Sequence, residues 1–202
     1  MARNAAFGLI VAVVMAAALW GGYATGADSP KKKKPCKEKS MTTKPVELAE
    51  GMKAPDFTLP ATEMGEVSLK ALKGKWVVLY FYPKDNTPGC TTQACGMRDA
   101  NDQIKDMGAV VLGVSKDSMA SHEKFRDKFD LNFPLLSDTE KSVHHAYGVI
   151  REKKMYGKVS LGTVRSTFII DDTGVIRKIW RNVKAKQHKD NVLTTLKELM
   201  EK

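Results

Sequence analysis

From about residue 51 onward, short apolar runs alternate with stretches of helical period. Residues 57–59 and 67–69 read as short strands or a hairpin. Residues 76–82 (WVVLYFY) form a continuous β-branched and aromatic run, which predicts a strand buried on both faces. A helix is predicted over 91–107, with no Gly or Pro after Gly96, and a second buried strand over 110–114. Residues 118–129 are amphipathic at helical spacing, and Leu135 and Leu136 suggest a short strand. Ser137 and Glu140 have capping-box spacing, which predicts a helix starting there and running toward Tyr147. Two apolar runs, 167–170 and 175–180, flank Asp171, Asp172, Thr173 and Gly174, the signature of a hairpin. Val192, Leu193, Leu196, Leu199 and Met200 then recur at helical spacing in a final helix over 188–201. The order β-α-β-α-β-α, closing β-β-α, predicts an α/β fold: a central mixed sheet with helices on both faces. Sites in such sheets lie at the carboxyl ends of the strands. The strand ending at Tyr82 points into a segment containing two cysteines.

Upstream of residue 51 the pattern changes. Arg3 precedes an uncharged apolar run over 5–20, followed by the small residues Gly21, Gly22, Ala24, Gly26 and Ala27. This order predicts a secretory leader over 1–27, cleaved near Ala24 or Ala27. The run is short for a spanning helix, so a membrane anchor is expected only if the leader is retained. Residues 28–50 are rich in Lys, Pro and Thr and predict a flexible tether before a domain over 51–202. The formal net charge of +10 raises the question of anionic partners, but Lys31 to Lys34, Lys37, Lys39 and Lys44 concentrate it in that tether. No zinc-finger spacing or aromatic stripe accompanies it, so nucleic-acid binding is not expected. The leader predicts an exported protein, periplasmic or extracellular, in a compartment where disulfides persist. Of the three cysteines, Cys36 lies in the tether and reads as a bystander.

Candidate chemistry concentrates in residues 83–95, Pro-Lys-Asp-Asn-Thr-Pro-Gly-Cys-Thr-Thr-Gln-Ala-Cys. A buried strand gives way to a Pro/Asn/Gly turn, and a helix begins around Cys90. Unpaired backbone N–H groups and the positive end of the helix dipole there favour an anion. The thiolate is the reactive form of cysteine, so Cys90 is placed to be a nucleophile. A plain core cysteine would call for apolar sequence neighbours, and these are polar. Cys95 follows five residues later, about 7.5 Å further along an intact helix. A disulfide brings Cβ atoms to roughly 3.5–4.5 Å, so the two sulfurs can bond only if the helix start unwinds. Cys95 is therefore either a core residue or a thiol reached by local unfolding. Gly96 weakens the helix beside it by about 1 kcal/mol relative to Ala.

Pro83, Thr87 and Cys90 match the signature of the peroxiredoxins. The wider run FYPKDNTPGCTTQAC resembles the peroxiredoxin Q subfamily, also called bacterioferritin comigratory proteins. The resemblance spans nearly the whole domain and also picks out Arg165. It implies a thioredoxin-like fold and reduction of hydrogen peroxide or alkyl hydroperoxides. It further implies that Cys90 is oxidised to a sulfenic acid, that Cys95 resolves it as a disulfide, and that a thioredoxin-like dithiol reduces the product. Arg165 would stabilise the thiolate and the departing oxygen, Thr87 would hold the peroxide, and Pro83 would shield the sulfur from water. The implied enzyme is a monomer with no metal or organic cofactor.

Each residue has a plainer reading: Arg165 as a surface ion-pair partner, Thr87 as a turn residue, Pro83 as a strand terminator. His144 and His145 are adjacent and predict a solvated face rather than a metal site, and His122 and His188 lack ligand spacing. Two other functions compete. An exported thioredoxin-like thiol-disulfide oxidoreductase would use Cys-x-x-Cys, whereas four residues separate the cysteines here. A non-enzymatic module would bind anionic surfaces through the lysine tether.

Overall fold

A computed structural model describes residues 47–155 and 158–201. The predicted leader, nearly all of the tether and Cys36 lie outside those residues. In chain order the strands and α-helices are β1 (Thr58–Ala61), β2 (Gly65–Ser68), β3 (Trp76–Phe81), α1 (Pro88–Asp106), β4 (Ala109–Ser115), α2 (Met119–Phe129) and β5 (Leu135–Ser137). There follow α3 (Ser142–Ala146), β6 (Ile150–Met155), β7 (Lys158–Thr163), β8 (Ser166–Ile170), β9 (Ile176–Arg181) and α4 (His188–Met200).

Seven strands form one sheet in the order β2-β1-β5-β4-β3-β8-β9. β3, β4 and β5 are parallel, as their helical crossovers require. β8 and β9 add antiparallel strands at one side, and β1 and β2 do so at the other. The sheet is mixed and thioredoxin-like, as expected.

β3 is central, and its alternation divides the core. Val77, Leu79 and Phe81 face a cluster with Phe168, Tyr147 and Val143, the last from α3. Val78 and Tyr80, with Tyr82 beyond the strand end, face Met97 and Ile104 of α1, Phe125 of α2 and Val192 and Leu196 of α4. Each of these side chains, once fully buried, contributes about 1.5–3 kcal/mol relative to exposure. Leu48 already packs in the first cluster, three residues ahead of the predicted domain start.

Three features differ from the sequence reading. The Ser137 capping box does not form. Ser137 ends β5 and donates its hydroxyl to the Asp117 carbonyl at 2.6 Å. Asp138 does the capping instead, accepting the His144 N–H at 2.8 Å, and the helix begins only at Ser142. His144 is not on a solvated face: it is fully buried, with Nδ1 2.6 Å from Asp138 Oδ2, while His145 is exposed. The β6–β7 hairpin was not anticipated, because Arg151, Lys153, Lys154 and Lys158 hide any apolar alternation there.

Candidate active site

The site lies at the carboxyl end of β3. Tyr82 and Pro83 carry the chain out of the strand, and residues 84–87 turn it into α1. Asn86 takes a left-handed φ of 56°, which Asn tolerates better than most residues. Thr87 is the N-cap, and Pro88 occupies the first turn, where its missing N–H costs nothing. The helix thus starts three residues earlier than predicted, and Cys90 sits inside its first turn. A first-turn position lies where unpaired N–H groups and the positive end of the helix dipole favour a thiolate.

Cys90 is 2 % exposed and packs against the Tyr80 and Tyr82 cluster. The sequence read its surroundings as polar, but this burial comes from strand residues that the turn folds back upon. Arg165 provides the polar side of its environment. Antiparallel pairing sets Phe81 opposite Ser166, so the residue before β8 falls beside the loop leaving β3. Arg165 Nη2 donates to Cys90 Sγ at 3.4 Å, and Nη1 donates to Gln93 Oε1 at 2.7 Å. Gly89 leaves room for this approach, since a Cβ there would lie 3.2 Å from Nη2.

Thr87 and Pro83 are both half-buried in the loop that leads to Cys90. The Thr87 hydroxyl donates to the Lys84 carbonyl at 3.1 Å and makes no cap bond. Cys95 is half-buried on the same helix, and both sulfurs are free. A depression of about 550 Å³ lies beside the helix start, lined by Pro88, Gly89, Thr92, Lys184, Ala185 and Gln187.

Sequence reasoning missed Gln93. It is 1 % exposed, and its position three residues after Cys90 puts it on the same helix face, a spacing that could have flagged it. Its Nε2 and the Tyr80 hydroxyl are buried without a hydrogen-bond partner among the described residues. Burial, then the nearby Cys90 and Asp85, push the Tyr80 phenol well above its usual range. Gly113 is needed opposite it, because a Cβ there would stand 2.7 Å from the Tyr80 hydroxyl.

A buried polar cluster under the loop was missed as well. Asp85 and His122 are 4 % and 0 % exposed, and His122 Nδ1 lies 3.0 Å from Asp85 Oδ2. Burial alone would raise the Asp85 carboxyl, but hydrogen bonds from His122, Ser121 and Tyr82 outweigh it and leave it lowered. Near Arg165, His188 is buried with Nε2 2.8 Å from Thr167 Oγ1. Burial, then the Arg165 charge, lower its pKa to about 4. Among the described residues no group of three or more His, Cys, Asp or Glu is arranged to hold a metal ion.

Comparison with known proteins gives a consistent picture. The profile of the AhpC/TSA family matches residues 51–179. A Coxiella burnetii protein named as a peroxiredoxin Bcp is 51% identical over 146 residues, 72% of this chain and 97% of its own. The Bacillus subtilis peroxiredoxin Bcp is 48% identical over 152 residues, 75% of this chain and 97% of its own. A solved Xanthomonas campestris bacterioferritin comigratory protein, described by its alkyl peroxide reduction activity, superposes with a TM-score of 0.69. It is 42% identical and covers 71% of this chain and 92% of its own.

These relatives correct one expectation. Export to the periplasm or beyond rested on the 1–27 segment. Both Bcp relatives are matched over 97% of their own length, which leaves them no counterpart of a leader that long. Among residues 47–155 and 158–201 no helix is long and apolar enough to cross a membrane, and the 5–20 run lies outside them. The exported placement is withdrawn; the 1–27 segment itself lies outside the described residues.

Proposed function

The chain belongs to the AhpC/TSA family, in its peroxiredoxin Q or bacterioferritin comigratory branch, and from that premise we propose that Cys90 is its peroxidatic sulfur. The protein is a thiol-dependent peroxidase. The observation that carries the Cys90 assignment is the Arg165 guanidinium 3.4 Å from Sγ in the first turn of α1.

The Cys90 thiolate attacks the terminal oxygen of the hydroperoxide. The S–O bond forms as the O–O bond breaks, leaving a sulfenic acid on Cys90 and an alkoxide or hydroxide that takes up a proton. Arg165 stabilises both the thiolate and the charge that develops on the departing oxygen, and a fixed fork of donors suits that double task. Gln93 Oε1 holds the other arm of the fork and so sets its direction. The Thr87 hydroxyl turns from the Lys84 carbonyl to the bound peroxide. Pro83, with no N–H to attract water, limits solvent at the sulfur. The depression beside Pro88 and Gly89 has room for the organic part of an alkyl hydroperoxide.

Cys95 is the resolving thiol. Its sulfur attacks the Cys90 sulfenic sulfur, a disulfide forms and water leaves. The first turns of α1 open to permit this, and a thioredoxin-like dithiol then takes over the disulfide and returns both thiols. The catalytic domain begins near residue 51, acts as a monomer and needs no metal or organic cofactor.

Intact mass spectrometry after one equivalent of hydrogen peroxide tests the reading. The expected product has lost two hydrogens, mapped to Cys90 and Cys95. Cys95→Ser should instead gain one oxygen and stall under thioredoxin, and Cys90→Ser should consume no peroxide. A fully active Cys90→Ser protein overturns the assignment.

A further inference from the structure

The loop that presents Cys90 is clamped from below by a buried polar cluster that none of the steps above uses. Asp85 lies between β3 and α1. Its carboxylate accepts from the Tyr82 hydroxyl at 2.8 Å and from the Ser121 hydroxyl at 2.7 Å. His122 completes the set, with Nδ1 3.0 Å from Asp85 Oδ2. The other ring nitrogen, Nε2, lies 3.2 Å from the Leu136 carbonyl, which can only accept. Nε2 therefore carries a proton. Nδ1 faces carboxylate oxygens, so the pair holds a second proton between them. The main chain is fixed too: the Asp85 N–H donates to Asp117 Oδ2 at 2.9 Å, and Ser115 Oγ holds the same oxygen at 2.8 Å.

These bonds join the active-site loop to α2, β5 and, through Asp117 and Ser115, the end of β4. Asp85 belongs to the active-site loop, His122 and Ser121 to α2, and Leu136 to β5. Buried hydrogen-bonded charge of this kind is costly to break and fixes geometry, because a partner left behind is stranded without water. The left-handed Asn86 follows immediately, and a conformation of that sort persists where its surroundings over-determine it. One residue further on is Thr87, and α1 starts directly after it.

We propose that Asp85 and His122 are positioning residues that hold the Cys90 loop in its peroxide-reactive form and oppose the opened form from which the disulfide is made. This rests on the resolving role given to Cys95. The clamp touches neither peroxide nor sulfur. It sets the balance between two states of one loop, so weakening it moves the two chemical steps in opposite directions. A loosened loop presents Cys90 less often to Arg165, and oxidation slows. The same loosening makes the first turns of α1 easier to open, and disulfide formation speeds up. Loss of general stability would not produce opposite signs.

The test follows both steps by rapid mixing in Asp85→Asn and His122→Gln, each checked for a native far-UV spectrum. Trp fluorescence reports Cys90 oxidation by hydrogen peroxide, and quenched intact mass reports the disulfide. Asn cannot be the anionic partner, and a single Gln amide cannot span both Asp85 and the Leu136 carbonyl. The expected result is oxidation at least tenfold slower with disulfide formation at least threefold faster, and less over-oxidised Cys90 at high peroxide. His144→Gln, which breaks the other buried His–Asp pair, serves as control and should lower stability without the opposed shifts. Should Asp85→Asn not fold, Ser121→Ala removes one donor to the same carboxylate and should give smaller changes of the same signs. Two rates that fall together, or stay within twofold of wild type, overturn the proposal. If wild type makes no Cys90–Cys95 disulfide, the resolving role fails and the proposal falls with it; if wild type makes it and the variants show no opposed shifts, only the proposal fails.

Discussion

A cysteine buried to 2 % exposure would ordinarily be an inert core residue, and one guanidinium changes that reading for Cys90. Arg165 reaches the sulfur with one arm and Gln93 with the other, so its direction is fixed before substrate arrives. Lys at this position could supply charge but not the fork. Arg165→Ala is expected to slow Cys90 oxidation about a hundredfold, in the range seen when a preorganised donor to developing charge is removed. Arg165→Lys should fall between that and wild type. Stopped-flow measurement of the second-order rate with hydrogen peroxide reads both, and wild-type rates in Arg165→Ala would remove the guanidinium from the mechanism. Cys90, Thr87 and Pro83 could be singled out from sequence because they are close neighbours along the chain. Arg165 lies 75 residues away and was found only through the family motif, since a lone Arg in sequence looks like any ion-pair partner. Asp85 and His122 gave no signal at all, because their meeting depends on how α2 crosses the sheet.

At the scale of elements, α1 has two parts held differently. Beyond Gly96 it is pinned: Arg98 Nη1 donates to the Phe129 carbonyl at 2.7 Å, and Asn101 Nδ2 donates to the Asn132 carbonyl at 2.8 Å. Before Gly96 its side-chain bonds to the rest of the domain come from Arg165, to Cys90 Sγ and Gln93 Oε1, while the Thr92 hydroxyl bonds only within the helix, to the Pro88 carbonyl at 2.9 Å. Opening that starts at Pro88 therefore has a natural stop at Gly96, next to Cys95. Ala at 96 would meet the Lys189 side chain at 3.7 Å, an ordinary contact, so the substitution acts mainly through helix propensity. Gly96→Ala should stabilise the closed helix by about 1 kcal/mol and slow disulfide formation about fivefold. Cys90 oxidation should be unchanged. An unaltered rate of disulfide formation, read by quenched mass spectrometry, would place the opening elsewhere. The long elements of this domain were legible because burial on both faces or one face writes a clear period. The ends of short ones were not. A Ser-x-x-Glu spacing at 137–140 looked like a cap, yet Ser137 was already committed to the end of β5.

Across the whole domain, a mixed sheet with helices on both faces could be read from the alternating elements, and the candidate site was expected at the end of β3. Compartment could not be read that way. An apolar run over 5–20 has the same composition whatever becomes of it, and only relatives without a counterpart exposed the weakness of the inference. The global property the fold does fix is its response to acid. His188 is buried at the start of α4, with Thr167 of β8 at 2.8 Å and the Trp180 ring 5.6 Å away, edge to face. Burial, and then Arg165, hold its pKa at about 4, against 6.5 for an ordinary histidine. Above about pH 6.5 it is neutral in both folded and unfolded chains, and its contribution to stability is fully present. As pH falls from about 6.5 toward about 4, the unfolded chain takes up a proton that the folded one refuses. Stability then declines by at most about 1.4 kcal/mol per pH unit from this residue alone. Below pH 4 the folded protein is protonated too and the decline from this source ends. Asp85, Asp138 and Asp171, each with a lowered carboxyl, then extend the loss into stronger acid. His188→Gln keeps a hydrogen-bonding group toward Thr167 and removes the titration. It should lower the melting temperature at pH 8 yet flatten its slope between pH 6.5 and 4. Parallel curves for wild type and variant across that interval would show that a different group governs acid sensitivity.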